Sequence, residues 1–157
     1  MSTGKMIIGA DHAGFALKET LKPCLARLGL VSTDIGTETA DPVDYPDIGC
    51  RVAAGVSCGA FARGILICGS GVGMTIIANK YPRVRAVLCL DEETAELSRR
   101  HNDTNILCLA GRKTDPEKAE KIIEIWLKTA FEGGRHNRRI EKIREIEKEL
   151  CTRQNAL

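Results

Sequence analysis

Short apolar, β-branched runs alternate along the chain with longer stretches whose apolar residues recur at helical spacing. The strand-like runs are Met6–Ala10, Val31–Ile35, Gly64–Cys68, Val84–Leu90 and Ile106–Ala110, each about the length of a buried strand. Between them, Leu17, Leu21, Leu25 and Leu28 share one helical face, and Val52, Ala53, Val56 and Ala60 share another. A third stripe comprises Ile122, Ile123, Trp126, Leu127 and Ala130, the spacing of a helix with one side toward a core. Punctuation agrees. Asp115-Pro116-Glu117 supplies an N-cap, a proline at the first helical position and a first-turn acid; Asp91-Glu92-Glu93 caps the helix before it. Gly29 stands where a C-cap glycine belongs. Pro23 falls inside the first helix, where proline removes a hydrogen bond and predicts a bend.

Five β–α units in succession predict a parallel sheet with helices on both faces, because right-handed crossovers place them there. The expected architecture is a single domain over residues 1–157: a Rossmann-like, three-layer α/β/α fold with five parallel strands in the order 2-1-3-4-5. No internal repeat, low-complexity segment or linker interrupts it. The last segment, about 137–151, carries only Ile140, Ile143, Ile146 and Leu150 as apolar residues in an otherwise charged helix. So narrow a stripe suits docking on a partner surface, or lying on its own domain.

Composition narrows the function classes. The chain has 157 residues, 43% hydrophobic and 28% charged, which excludes bulk disorder. Lys and Arg number 23 against 21 Asp and Glu, net +2, so no broad electrostatic footprint for nucleic acid is expected. No apolar run is long enough for a membrane span, and the first residues lack a secretory h-region. Seven cysteines, an odd number without a C-x-x-C pair, point to a reducing, cytoplasmic compartment rather than a disulfide framework. Three histidines, none paired at i, i+4, give a metal site little to build on. Neither metal nor cofactor is expected.

In open parallel sheets, ligands bind beyond the carboxyl ends of the strands. There the first strand runs into Asp11-His12-Ala13-Gly14, the second toward Asp44-Tyr45-Pro46, the third into Cys68-Gly69-Ser70-Gly71-Val72-Gly73-Met74 and the fifth into Gly111-Arg112. Alternate glycines between a strand and a helix let backbone N–H groups approach an anion closely. This loop is neither a P-loop nor the dinucleotide fingerprint, whose third glycine would fall on Met74. By itself it also fits a tight turn without a ligand. Cys68 stands at the mouth of the loop, where a helix N-terminus favours negative charge; read alone it fits a small buried hydrophobe equally well. The other cysteines (24, 50, 58, 89, 108 and 151) read as small buried hydrophobes. Asp11 and His12 place an acid beside an imidazole at the pocket edge.

His101 ends the helix after the fourth strand, so it belongs at the amino edge of the sheet, away from Cys68 of the same chain. Gly133-Gly134-Arg135-His136-Asn137-Arg138-Arg139 starts from that edge too. Read alone, these are a capping histidine and a solvated basic turn. If they share a site with Cys68, a second subunit must complete it.

Taken together, the residues resemble the type B ribose-5-phosphate isomerases, in the family that includes the galactose-6-phosphate isomerase subunits. The matching motifs are Gly9-Ala10-Asp11-His12-Ala13-Gly14-Phe15, Asp44-Tyr45-Pro46, Gly64-Ile-Leu-Ile-Cys-Gly-Ser-Gly-Val-Gly73, Ala78-Asn79-Lys80, Ser98-Arg-Arg-His-Asn-Asp-Thr-Asn105 and Gly133-Gly-Arg-His136. They stand in family order from residue 5 to about 150. The resemblance implies cofactor-free, metal-free interconversion of D-ribose 5-phosphate and D-ribulose 5-phosphate through an enediolate, a step of the pentose phosphate pathway. It assigns Cys68 as the base, since Met74 occupies the position where other relatives carry a glutamate. It assigns ring opening to His101 with Asp11 assisting, and sugar hydroxyls to Asn102. Negative charge on the sugar oxygen falls to the amides of Gly69, Ser70, Gly71, Val72 and Gly73 with the Ser70 hydroxyl. Phosphate binding falls to His12, Arg112, Arg135 and Arg139, and the pocket wall to Tyr45. It also implies a homodimer or tetramer with sites shared between subunits and a C-terminal helix on the partner. Isomerisation of allose or galactose 6-phosphate, or non-catalytic phosphosugar binding, are the alternatives.

Overall fold

The computed structural model describes residues 5–154. Strand β1 (Met6–Ala10) is followed by α1 (Phe15–Arg27), β2 (Ser32–Asp34), α2 (Tyr45–Ser57), β3 (Arg63–Cys68) and α3 (Val72–Ala78). Then come β4 (Ala86–Leu88), α4 (Glu92–Asn102), β5 (Ile106–Ala110), α5 (Pro116–Lys128) and α6 (Arg135–Gln154). All strand pairs are parallel. Alternate strand residues divide two cores. Ile8, Ile65, Ile67, Leu107 and Leu109 face α1, α4 and α5, with Leu21, Ala95 and Trp126 packed against them. Ile7, Leu66, Ile106 and Cys108 face α2 and α3, with Val52, Ala53 and Met74. Burying a large side chain on this scale contributes ~1.5–3 kcal/mol each.

The strand order is β2-β1-β3-β5-β4, not the expected 2-1-3-4-5. The reason lies in the two last strands. Ile106–Ala110 is apolar throughout and buried on both faces, as a central parallel strand must be. Ala86–Leu88 is three residues long and only half-buried, which suits an edge. The exchange has a functional consequence: β5 lies directly beside β3, with Cys68 opposite Ala110 in register, so the loop after β5 meets the loop after β3.

Local signals hold where they are capped. Asp91 accepts from Thr94 N–H at 2.7 Å, and Asp115 accepts from Glu117 N–H at 2.9 Å. Gly29, at φ +73°, closes α1 through Gly29 N–H to Ala26 O and Leu30 N–H to Leu25 O, a Schellman pattern. α1 continues through Pro23 as one helix. The helical stripes end sooner than expected: Ala60 and Ala130 lie past the ends of α2 and α5 and are exposed. Helix α6 begins at Arg135 rather than 137. It buries Ile140 but leaves Ile143, Ile146 and Leu150 at 43–55% exposure, and Arg83 N–H donates to Glu147 Oε2 at 3.0 Å across it. Of the cysteines read as buried hydrophobes, Cys24, Cys89 and Cys108 are buried. Cys50 is half-buried, while Cys58 and Cys151 are exposed. All seven thiols are free.

Candidate active site

A cavity of about 400 Å³ opens at the carboxyl end of the sheet, where β1 and β3 lie side by side and their connections diverge. It is lined by Asp11 and His12 after β1, Tyr45 at the start of α2, Cys68 and Ser70 at the end of β3, and Arg112 after β5. Three loops are locked against one another here. Asp11 N–H donates to Ile67 O (3.1 Å), Gly111 N–H to Cys68 O (2.8 Å) and Arg112 N–H to Gly69 O (3.1 Å). The approach is too close for side chains: a Cβ on Gly14 would lie 2.5 Å from Ile67 O.

Cys68 is 4% exposed, at the margin of the core facing α2 and α3, and lines the cavity. Gly71 N–H donates to its Sγ at 3.2 Å. That amide is aimed at the sulfur because Gly71 adopts a left-handed conformation, φ +76°, as the residue before α3. This donor fixes the position of the sulfur against the start of α3. Ser70 Oγ accepts from Val72 N–H at 3.3 Å, and Thr75 Oγ1 donates back to Gly71 O at 2.8 Å; both bonds stiffen the loop. The Tyr45 ring packs closely against the loop at Gly73, where an added Cβ would meet it at 2.7 Å.

Asp11 is buried, and its Oδ1 accepts from Gly14 N–H at 2.9 Å. His12 Nδ1 lies 3.2 Å from Val43 O and 3.3 Å from Val43 N. Either contact anchors the ring by Nδ1, and Nε2 has no hydrogen-bond partner among the described residues. Arg112 is exposed above Gly69, and Lys113, which the sequence reading passed over, lines the same cavity. The adjoining cation in Gly111-Arg112-Lys113 was the available signal. The site therefore offers a sulfur over backbone amides, an imidazole, a buried carboxylate and two cations in one recess.

The remaining candidates lie elsewhere. His101 and Asn102 end α4, immediately ahead of β5, and Arg135 and Arg139 open α6. This is the amino edge, as the topological argument required, and none of the four lines the Cys68 cavity. Arg99 secures that edge: it is 6% exposed, donates to Asp103 Oδ1 (2.8 Å) and Thr104 O (2.5 Å), and lies over the Trp126 ring. His101 stacks on His136, ring centroids 4.4 Å apart. Burial first, then the charges of His101 and Arg135, push the His136 imidazole below its ordinary pKa.

A family model described as Ribose/Galactose Isomerase matches residues 6–143. The chain belongs to the ribose/galactose isomerase family. It is 44% identical over 143 residues to ribose-5-phosphate isomerase B of Escherichia coli, covering 91% of this chain and 96% of that protein. A solved structure of Clostridium thermocellum ribose-5-phosphate isomerase B matches with TM-score 0.90 and 46% identity, covering 93% of this chain and 99% of that one. The Mycoplasma genitalium ribose-5-phosphate isomerase B, solved with bound ribulose 5-phosphate, matches with TM-score 0.89 and 41% identity over 92% and 97% of the two chains. Family membership makes the protein a sugar-phosphate isomerase, and the Rossmann-like class holds with the corrected strand order. Among the described residues no helix is long and apolar enough to cross a membrane.

Proposed function

We propose that the protein interconverts D-ribose 5-phosphate and D-ribulose 5-phosphate through an enediolate, with Cys68 as the proton carrier. The observation that carries this reading is the Gly71 N–H bonded to the sulfur of Cys68, a residue lining the cavity that also holds Asp11, His12 and Arg112. In the aldose-to-ketose direction the Cys68 thiolate removes the C2 proton of the open-chain sugar. The C–H electron pair forms the C1–C2 double bond, and O1 takes the charge. The thiol then returns the proton to C1, while the 2-hydroxyl's proton passes to O1, so that O2 becomes the carbonyl oxygen and O1 the new hydroxyl. With the Gly71 and Val72 amides already donating to Cys68 Sγ and Ser70 Oγ, the amides of Gly69, Ser70 and Gly73 stabilise the charged oxygen; removing one such donor typically costs ~3–4 kcal/mol of transition-state stabilisation. His12 and Arg112 hold phosphate through charge-assisted bonds.

His101, the residue assigned to opening the furanose ring, stands at the opposite edge of the sheet and does not line the Cys68 cavity of its own chain. A homodimer supplies it: His101, Asn102, Arg135 and Arg139 of one subunit face the Cys68 cavity of the other, and the exposed Ile143–Leu150 stripe of α6 is the surface that pairs them. Seven unpaired thiols fit a reducing cytoplasmic compartment. A coupled assay with ribose 5-phosphate in the presence of chelator tests substrate and turnover together. Turnover of ribose 5-phosphate well above that of allose 6-phosphate supports the reading. The reverse preference would assign a six-carbon substrate, which the family description, spanning ribose and galactose, also accommodates. Ligand binding without turnover would make the protein a sensor.

A further inference from the structure

Two of the three histidines, remote in sequence, meet at the amino edge. His101 in the last turn of α4 and His136 in the first turn of α6 stack with planes 11° apart. Glu132, in the turn between α5 and α6, brings its Oε2 to 3.8 Å from His101 Nε2. One ligand atom from each of the three lies within 4.8 Å of the other two. The backbone fixes this arrangement: Glu132 N–H donates to Arg100 O and His136 N–H to Gly133 O, both at 3.0 Å. The His136 ring is buried, and its Nε2 accepts from Arg135 Nε at 3.4 Å, so that nitrogen carries a lone pair. An imidazole nitrogen with its lone pair free to accept is the form that binds metals.

We propose that His101, Glu132 and His136 form a binding site for a divalent transition ion of the zinc class, and that its occupation withdraws His101 from the reaction. Two imidazoles and a carboxylate with an open fourth position suit Zn²⁺ better than the all-oxygen ions Mg²⁺ and Ca²⁺. Bond lengths of ~2.0–2.2 Å place tetrahedral ligand atoms ~3.3 Å apart. His101 and Glu132 are partly exposed, at 32% and 47% of their side-chain surface, so side-chain rotations toward the buried His136 close the gap. Arginines compete for the same atoms: Arg100 donates to Glu132 Oε2 at 3.1 Å and Arg135 to His136. That competition suits reversible capture when the ion is in excess, not a permanently resident metal. Binding at this site stands apart from the proposed activity; the inhibitory consequence rests on the ring-opening role assigned to His101.

The test uses the full chain, stripped with chelator and then titrated with Co²⁺ while its visible absorption is followed. One ion per chain with a tetrahedral spectrum, displaced by Zn²⁺, is expected. Glu132→Gln and His136→Asn should each weaken it at least ~10-fold. No saturable absorption, an intense thiolate charge-transfer band, or equal affinity in both variants would overturn the site. In the coupled assay, Zn²⁺ should inhibit the wild type reversibly, and Glu132→Gln should keep its turnover in chelator while tolerating at least ~10-fold more Zn²⁺. Inhibition undiminished in Glu132→Gln, or full turnover with the site occupied, would overturn the inhibitory role. Absence of turnover in chelator would instead defeat the isomerase reading while leaving the Co²⁺ titration to stand.

Discussion

Gly71→Ala separates the fold's demands on the loop after β3 from the chemistry the loop performs. Gly71 sits at φ +76°, where alanine costs ~1–2 kcal/mol. An added Cβ would lie 2.4 Å from Leu88 Cδ1 and 3.1 Å from the backbone carbon and oxygen of Leu109. The Leu88 side chain can rotate away, but the central strand β5 cannot, so the loop must shift. Such overpacking costs ~1–3 kcal/mol. The sum, ~2–5 kcal/mol, lowers Tm by about 5–20 °C for a chain of this length. Gly29→Ala is the matched control: its φ is +73°, with nothing within 4 Å of the new Cβ, so only the ~1–2 kcal/mol conformational cost applies. Because Gly71 N–H is the donor to Cys68 Sγ, a displacement near 1 Å should lower kcat ~100-fold, while Gly29→Ala leaves kcat unchanged. Thermal unfolding and the coupled assay, run below both midpoints, read the two effects. Equal Tm losses with unchanged kcat in Gly71→Ala would refute the reasoning.

Three further outcomes follow from the same geometry. Arg112→Met should raise KM for the sugar phosphate ~10–100-fold with kcat within a few-fold, the loss of one charge-assisted contact; an unchanged KM in steady-state kinetics would remove Arg112 from phosphate binding. Mixing Cys68→Ala subunits with His101→Asn subunits should restore activity in the heterodimer fraction, and its absence at confirmed subunit exchange would reject a shared site. The third concerns acid stability. Burial alone would raise the Asp34 carboxyl, but Lys18, the Gly36 amide and Lys22 together hold it below its ordinary value, and Lys18 and Lys22 lower Glu19 likewise. Carboxylates depressed in the folded state add stability above their unfolded pKa of ~4 and lose it as pH falls through the folded value. Asp34→Asn, which strips one partner from the 1%-exposed Lys18, should therefore be ~1–3 kcal/mol less stable than wild type at neutral pH. That gap should close below pH ~4; a gap in urea midpoints that persists into acid would contradict it.

Much of this molecule was legible from local pattern. Asp91, Asp115 and Gly29 cap the helices they were read as capping, because a cap is a contact between residues a few positions apart. The loops after β1, β3 and β5 converge because a parallel sheet brings its carboxyl ends to one edge. Strand order is not legible from sequence adjacency, because neighbours along the chain need not be neighbours in the sheet; the unbroken apolar run of β5 against the short β4 is the better guide to which strand is central. The observed order also explains how Arg112 comes beside Cys68. Cys58 and Cys151 are exposed where burial is expected, because a cysteine's burial depends on the surface its helix presents, which periodicity does not reveal at helix ends. His101, Glu132 and His136 come from three separate elements, so no spacing rule joins them; the tight turn before α6 does.

The central claim is that the Cys68 sulfur moves the proton. Cys68→Ser and Cys68→Ala should each reduce turnover of ribose 5-phosphate to background in chelator, while isothermal titration with a non-reacting phosphosugar acid shows affinity within a few-fold of wild type. Wild-type turnover in either variant, with the fold intact by circular dichroism, would contradict the account.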